Sequence, residues 1–182
     1  NTDYEDSIIQ PEWVDAAIDA DKKLGIKPKG IRAIGFDPAD EGTDAKAYAI
    51  THGIHVTDCE QWTSGDLEES VQRVYDVAFE KRCTNLVYDS IGIGAGAKIK
   101  FKQLNGNGDI VIEGFCGSES PDNPTRKYKD DRFNDDLFAN KRAQYWWYLR
   151  DRFENTFRAV ELGEFSDPDE LISLDGSMKH LK

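Results

Sequence analysis

A chain of 182 residues with 35 acidic and 23 basic side chains, a net charge of −12 and 38% hydrophobic residues has the size of one domain. It can bury one full core without disulfide or zinc staples. No apolar run approaches the roughly 20 residues a membrane helix needs, and the acidic opening Asn1–Gln10 lacks the basic-then-apolar pattern of a secretory leader. The cysteines Cys59, Cys83 and Cys116 match no zinc spacing and read as idle thiols of a reducing compartment. A charge this acidic is awkward for a nucleic-acid binder, whose phosphate contacts call for a basic face. Either the domain binds no nucleic acid, or its acids partly build a metal site while another domain supplies the basic grip. Composition alone favours the first.

Along the chain, Pro11 opens a helix whose Trp13, Ala16, Ala17, Ala20 and Leu24 recur at helical spacing up to Gly25. Ile31–Asp37 reads as a strand ending on an acid, and the acidic turn Pro38–Thr43 leads to a second strand, Asp44–Thr51. A tight turn at His52-Gly53 leads to a third strand, Ile54–Trp62. Three strands with connections this short form an antiparallel meander. Leu67–Arg82 is the clearest helix, with Leu67, Val71, Val74, Val77 and Ala78 on one face and Ser64 or Asp66 as its cap.

Asn85–Asp89 is a fourth strand, again closing on an acid. A glycine-rich turn, Ser90–Gly96, opens a helix at Ala97–Leu104, and Ile110–Phe115 is a fifth strand. Gly117–Asp136 is too long for an idle connection and is expected to be functional, mobile or both. Leu137–Val160 reads as one long helix carrying Phe138, Arg142, Tyr145, Trp146, Leu149, Phe153 and Phe157, with Trp146-Trp147 assigned to core packing rather than base stacking. Glu164–Asp175 reads as a short acidic loop. The order βββαβ(α)βα predicts an α/β fold: a mixed β-sheet with helices on both faces in the RNase H-like order. The right-handed crossover rule places strand four beside strand one.

Asp37 and Asp89 each close a strand placed at the sheet centre. Neighbouring strands lie about 4.8 Å apart, so two carboxylates leaving the same end of adjacent strands repel unless a proton or cation lies between them. A hard divalent cation with oxygen ligands is the natural solution. It supports in-line attack on a phosphate, with a second ion about 3.5–4 Å away. The plainer reading of either acid alone is a turn or cap residue. Asp44 reads equally as an extra ligand or as part of a solvated loop, and Asp40 and Glu41 lean towards the loop. Ser90–Gly96 carries G-x-G-x-G without a following G-K-[ST], so it supports neither a dinucleotide fingerprint nor a Walker loop. A glycine turn opening a helix can still present backbone N–H groups to a DNA phosphate. His52 and His55 read as ordinary surface or strand residues.

Three stretches together resemble a known family. Ile34-Gly35-Phe36-Asp37-Pro38-Ala39-Asp40-Glu41-Gly42-Thr43-Asp44 resembles the first acidic motif of the nuclease domains of tailed-phage large terminases. Val87-Tyr88-Asp89-Ser90-Ile91-Gly92-Ile93-Gly94-Ala95-Gly96 resembles their second. Phe138-Ala139-Asn140-Lys141-Arg142-Ala143-Gln144-Tyr145-Trp146-Trp147 is similar to a helix of the headful-packaging branch, and Gln10-Pro11-Glu12-Trp13 to the junction with an ATPase domain. The resemblance covers nearly the whole chain. It implies an RNase H-like fold, two-metal cutting of concatemeric double-stranded DNA with Mg²⁺ or Mn²⁺, and Asp37 and Asp89 as metal ligands. It also implies an upstream ATPase domain reached through residues 1–10, a nuclease domain over 11–182, a small terminase subunit and a portal as partners, no membrane, and the host cytoplasm as setting.

Two departures accompany it. No Walker lysine is present, and the family's third acid, in a C-terminal motif rich in Ser-Pro and Asp-Ala, has no counterpart before Lys182. The expectation is a fragment, weakly active or inactive alone, with Asp44 or water in the third ligand's place. The competing readings are another RNase H-like nuclease of the resolvase or transposase type, a non-catalytic docking module holding a structural ion, and a kinase-like ATPase, for which the chain is too short.

Overall fold

The computed structural model describes residues 7–39, 44–92, 94–129, 131–164 and 166–178. In chain order the elements are α1 (Pro11–Ala17), α2 (Ala20–Leu24), β1 (Arg32–Asp37), β2 (Lys46–His52), β3 (His55–Trp62), α3 (Leu67–Glu80), β4 (Asn85–Asp89), α4 (Gly94–Leu104), β5 (Val111–Phe115), α5 (Asn134–Leu137), α6 (Lys141–Glu161) and β6 (Ser173–Leu174). They form two compact units, residues 27–115 with 174–182, and residues 1–26 with 116–173.

The first unit holds the sheet, in the order β5-β4-β1-β2-β3-β6. The expected meander is present: β1 pairs antiparallel with β2, and β2 with β3. The crossover through α3 returns the chain to β4, parallel to β1, and a second through α4 lays β5 parallel to β4. The β2–β3 turn needs glycine, because Gly53 has φ +59 and a Cβ there would collide with the Lys29 carbonyl. Alternate strand residues point to one face. Ile34, Phe36, Tyr48, Ile50, Leu86 and Tyr88 meet Val71, Val74 and Ala78 of α3 and Ala97 and Phe101 of α4 in one core. Each fully buried large apolar side chain contributes about 1.5–3 kcal/mol. Asp66 starts α3 with a capping box, its carboxylate accepting from Glu69 N–H while the Glu69 carboxylate accepts from the Asp66 N–H.

In the second unit the expected single helix over 11–24 is two. Ile18 turns extended and Asp19 adopts φ 52 before the chain restarts as α2. The restart directs the Asp21 N–H and carboxylate to Ser173 Oγ, at 3.1 and 2.7 Å. Gly25 ends α2 in the left-handed region, as expected. The expected helix over 137–160 is likewise divided. α5 is a single turn, and Asn140 caps a separate α6 by accepting from Ala143 N–H at 2.9 Å.

Trp146 and Trp147 do not pack in the core: they are 52% and 41% exposed. The inward face of α6 is instead set by polar groups, which hold the flanking segments. Gln144 is fully buried and brackets the Asp122 backbone, accepting from its N–H at 2.7 Å and donating to its carbonyl at 3.0 Å. Buried Asn134 donates to the carbonyls of Asp122 and Asn123. The described part of the long polar stretch is thus fastened by hydrogen bonds. The acidic loop expected at 164–175 contains a 3₁₀ turn at Pro168–Glu170 and then β6. Arg152 donates to the carbonyls of Asp169 and Leu171, and Thr156 Oγ1 accepts from Ile172 N–H at 2.9 Å.

Candidate active site: a carboxylate edge at two parallel strand ends

The strand register puts the two predicted acids side by side. Phe36 lies opposite Tyr88 in the parallel β1–β4 pair, and the next residues along are Asp37 and Asp89, the last of their strands. Phe36 and Tyr88 point into the core beneath α3 and α4, so alternation sends Asp37 and Asp89 together to the other face at the sheet edge. Asp37 is exposed and Asp89 half-buried. Asp89 Oδ1 accepts from the Ile91 N–H at 2.9 Å, which fixes the carboxylate in a local turn.

The turn is anchored by Ser90, whose N–H and Oγ both donate to the Phe115 carbonyl, at 2.9 and 3.0 Å. Gly114 is small for a reason: a Cβ there would lie 3.0 Å from Ser90 Cβ and 3.3 Å from the Tyr88 hydroxyl. Gly92 takes φ +69 to close the turn. α4 starts at Gly94, three residues earlier than its hydrophobic pattern suggested, so the glycine-rich stretch is partly helix.

Asp44 is exposed and lies at this same edge, two residues before β2, whose Ala47 pairs with Asp37. Asp40 and Glu41 lie outside the described residues. Asp175 donates its N–H to the Val56 carbonyl at the opposite end of the sheet, and His52 and His55 flank the hairpin there. Among the described residues no three His, Cys, Asp or Glu side chains cluster tightly enough to hold an ion by themselves. The donor set at the edge is two carboxylates carried by adjacent strands, whose backbones lie about 4.8 Å apart. All-oxygen, doubly anionic donors fit a hard divalent cation rather than zinc or copper.

Sequence reasoning missed what supports this edge. Lys46 opens β2 fully buried, and its Nζ donates to the carbonyls of Gly65 and Thr63, at 2.7 and 3.4 Å. Beside it, Trp62 stacks on Phe36 at 6.2 Å and lies under Arg73 at 4.4 Å. Arg73 donates to Glu60 Oε1 at 2.6 Å, and the Tyr48 hydroxyl donates to Glu60 Oε2 at 2.9 Å. Burial and the Glu60 hydrogen bond push the Tyr48 hydroxyl above its ordinary range, so it remains a neutral donor. A lysine within an alternating strand looks like a surface residue, and no local signal distinguishes it.

A mixed sheet in this strand order, with acids closing β1 and β4, places the chain in the RNase H-like fold class. Similar solved structures narrow it. The nuclease domain of the large terminase subunit of bacterial virus Sf6 is 39% identical, with TM-score 0.88, covering 92% of this chain and 73% of that one. A lysine-to-alanine variant of that domain, with manganese and β-thujaplicinol, matches at 39% identity, TM-score 0.89 and the same coverage. The variant with calcium matches at 39% and 0.87, again over the same shares. No protein-family model matches the chain, and no curated protein sequence does. The chain belongs to the family of nuclease domains of bacteriophage large terminase subunits.

Proposed function

We propose that this chain is a metal-dependent endonuclease domain that cuts concatemeric double-stranded DNA during viral packaging, with Asp37 and Asp89 as its central metal ligands. The observation that carries the reading is the pairing of β1 and β4, which brings two acids from distant sequence to one edge. The relatives' association with manganese and calcium supports a divalent site. Mg²⁺ or Mn²⁺, as two ions, is the assignment for this chain. When bound, such ions polarise a phosphodiester oxygen and make water nucleophilic near neutral pH.

The chain's own residues do the rest. Asp37 and Asp89 supply anionic oxygens, and the Ile91 N–H holds Asp89 in orientation. Asp44, exposed at the same edge, adds an oxygen directly or through water. Lys46 and the Phe36–Trp62–Arg73 stack keep the supporting strands from shifting. In this reading residues 11–182 form the nuclease domain and residues 1–10 lead from an upstream ATPase domain. The small terminase subunit and portal are partners in the packaging motor, and the setting is the host cytoplasm. No described helix is long and apolar enough to cross a membrane. Incubation of the purified chain at high concentration with supercoiled plasmid and Mn²⁺ tests the activity: slow nicking that vanishes with chelator is expected, and products that persist in chelator overturn it.

A further inference from the structure

Charge is unevenly distributed around the carboxylate edge. The chain carries 35 acids in 182 residues, yet the stretch from Ser90 to Gly108, directly after Asp89, contains none. It does contain Lys98, Lys100 and Lys102, all on α4. Ala97 and Phe101 turn inward, so α4 presents Lys98, Ile99, Lys102 and Gln103 to solvent, with Ile99 63% exposed. Lys98 and Lys102 are four residues apart, hence on one face and about 6 Å apart along the axis.

Lys100 is differently placed. It pairs with Glu68 of α3 at 3.4 Å. It borders a surface depression that α3 lines with four acids, Glu68, Glu69, Asp76 and Glu80, against one cation, Arg73, itself paired with Glu60. The α3 side therefore repels phosphate, while the outer face of α4 attracts it. α4 also begins at the acid edge, only a few residues beyond Asp89, and runs back from it.

We propose that the outer face of α4, through Lys98 and Lys102, is a contact surface for the duplex phosphodiester backbone next to the cleavage edge. This rests on the nuclease reading above and assigns to the domain itself part of the DNA grip that its overall charge withholds. Asp37 and Asp89 leave the sheet on the face away from α4, so a duplex that presents a phosphate to them reaches α4 by crossing the sheet edge where that helix starts. The neighbouring phosphates then meet a helix bearing cations and no acid. The contact is electrostatic, so it is insensitive to base sequence and sensitive to salt.

The test is duplex binding by the full chain carrying Asp37→Asn, followed by fluorescence anisotropy over a series of salt concentrations. Each lost phosphate contact flattens the log–log salt dependence by about 0.9, so Lys98→Gln with Lys102→Gln should flatten it by about 1.8. The Lys98→Arg, Lys102→Arg pair should retain the parent slope. Lys81→Gln, at the opposite end of the sheet beside Asp58, should also leave it unchanged. An unchanged slope in the double Gln variant, equal flattening by Lys81→Gln, or no duplex binding by the parent would each overturn the proposal. Metal-dependent plasmid cleavage by the wild-type chain is scored separately. Cleavage with an unaltered slope in the double Gln variant rejects the α4 surface alone, whereas absent cleavage bears on the nuclease reading.

Discussion

Lys46 and Gly65 are joined by a hydrogen bond of 2.7 Å from a fully buried ammonium to a backbone carbonyl. The bond ties the start of β2 to the loop that enters α3, at the same sheet edge as Asp37. Lys46→Met should keep much of the side-chain volume but leave the carbonyls of Gly65 and Thr63 without this donor. The expected loss is about 1–3 kcal/mol of stability, measured by urea unfolding. A midpoint equal to that of the wild type would show that the buried ammonium holds nothing.

Asp37→Asn and Asp89→Asn should each abolish DNA cleavage while leaving the fold intact. Both side chains lie at strand ends outside the core, and an amide lacks the charge a divalent ion requires. Asp44→Asn should reduce cleavage less, since Asp44 lies on the flanking hairpin rather than in a paired strand. Plasmid assays with circular dichroism as the fold control decide this; wild-type rates for either strand-end variant would remove that residue from the site.

Cleavage should proceed with Mg²⁺ or Mn²⁺ and fail with Ca²⁺. Calcium accepts longer bonds and looser geometry, which misplaces an attacking water between two fixed carboxylates. Ca²⁺ should still compete for the site, so adding it to an Mn²⁺ reaction should inhibit. Efficient cutting in Ca²⁺ alone would contradict a geometry-limited mechanism.

Asp151 gives the α6 unit a pH dependence. Burial, reinforced by Glu154 and Glu170, pushes its carboxyl up from 3.8 to about 6, although Lys129, Arg150 and the Tyr128 hydroxyl are its neighbours. A carboxyl raised in the folded state binds its proton more tightly there than in the unfolded chain. Its contribution to stability therefore falls as pH rises from about 4 to about 6 and is flat above that. Asp151→Asn should remove this slope. Urea unfolding of both proteins across that pH window measures it; a difference curve that rises with pH would reverse the assignment.

The sheet and the acid pair were legible because their signals are local. An apolar run that ends on Asp and precedes a glycine-bearing turn occurs at Asp37 and Asp89, and the crossover rule then fixes which strands are neighbours. The breaks at Asp19 and Asn140 were not legible, since residues distant in sequence compete with helix continuation. Asp21 is engaged by Ser173, and Asn140 caps α6 where the segment around Asp122 docks. The outward turn of Trp146 and Trp147 had the same origin, because Gln144 and Thr156 claim the inward face for hydrogen bonding. β6, two residues long, is too short for periodicity to register.

The matched ends of β1 and β4 impose a rule on how such a sequence can drift. Side chains alternate along a strand, so inserting or deleting one residue within Arg32–Asp37 or Asn85–Asp89 would invert every residue beyond it and send one carboxylate into the space now filled by Phe36 or Tyr88. The connection between β1 and β2 is outside that constraint. Length variation in this lineage should therefore accumulate between Asp37 and Lys46 and be absent between Ile34 and Asp37, a pattern of gaps that records the pairing without any reference to amino-acid identity.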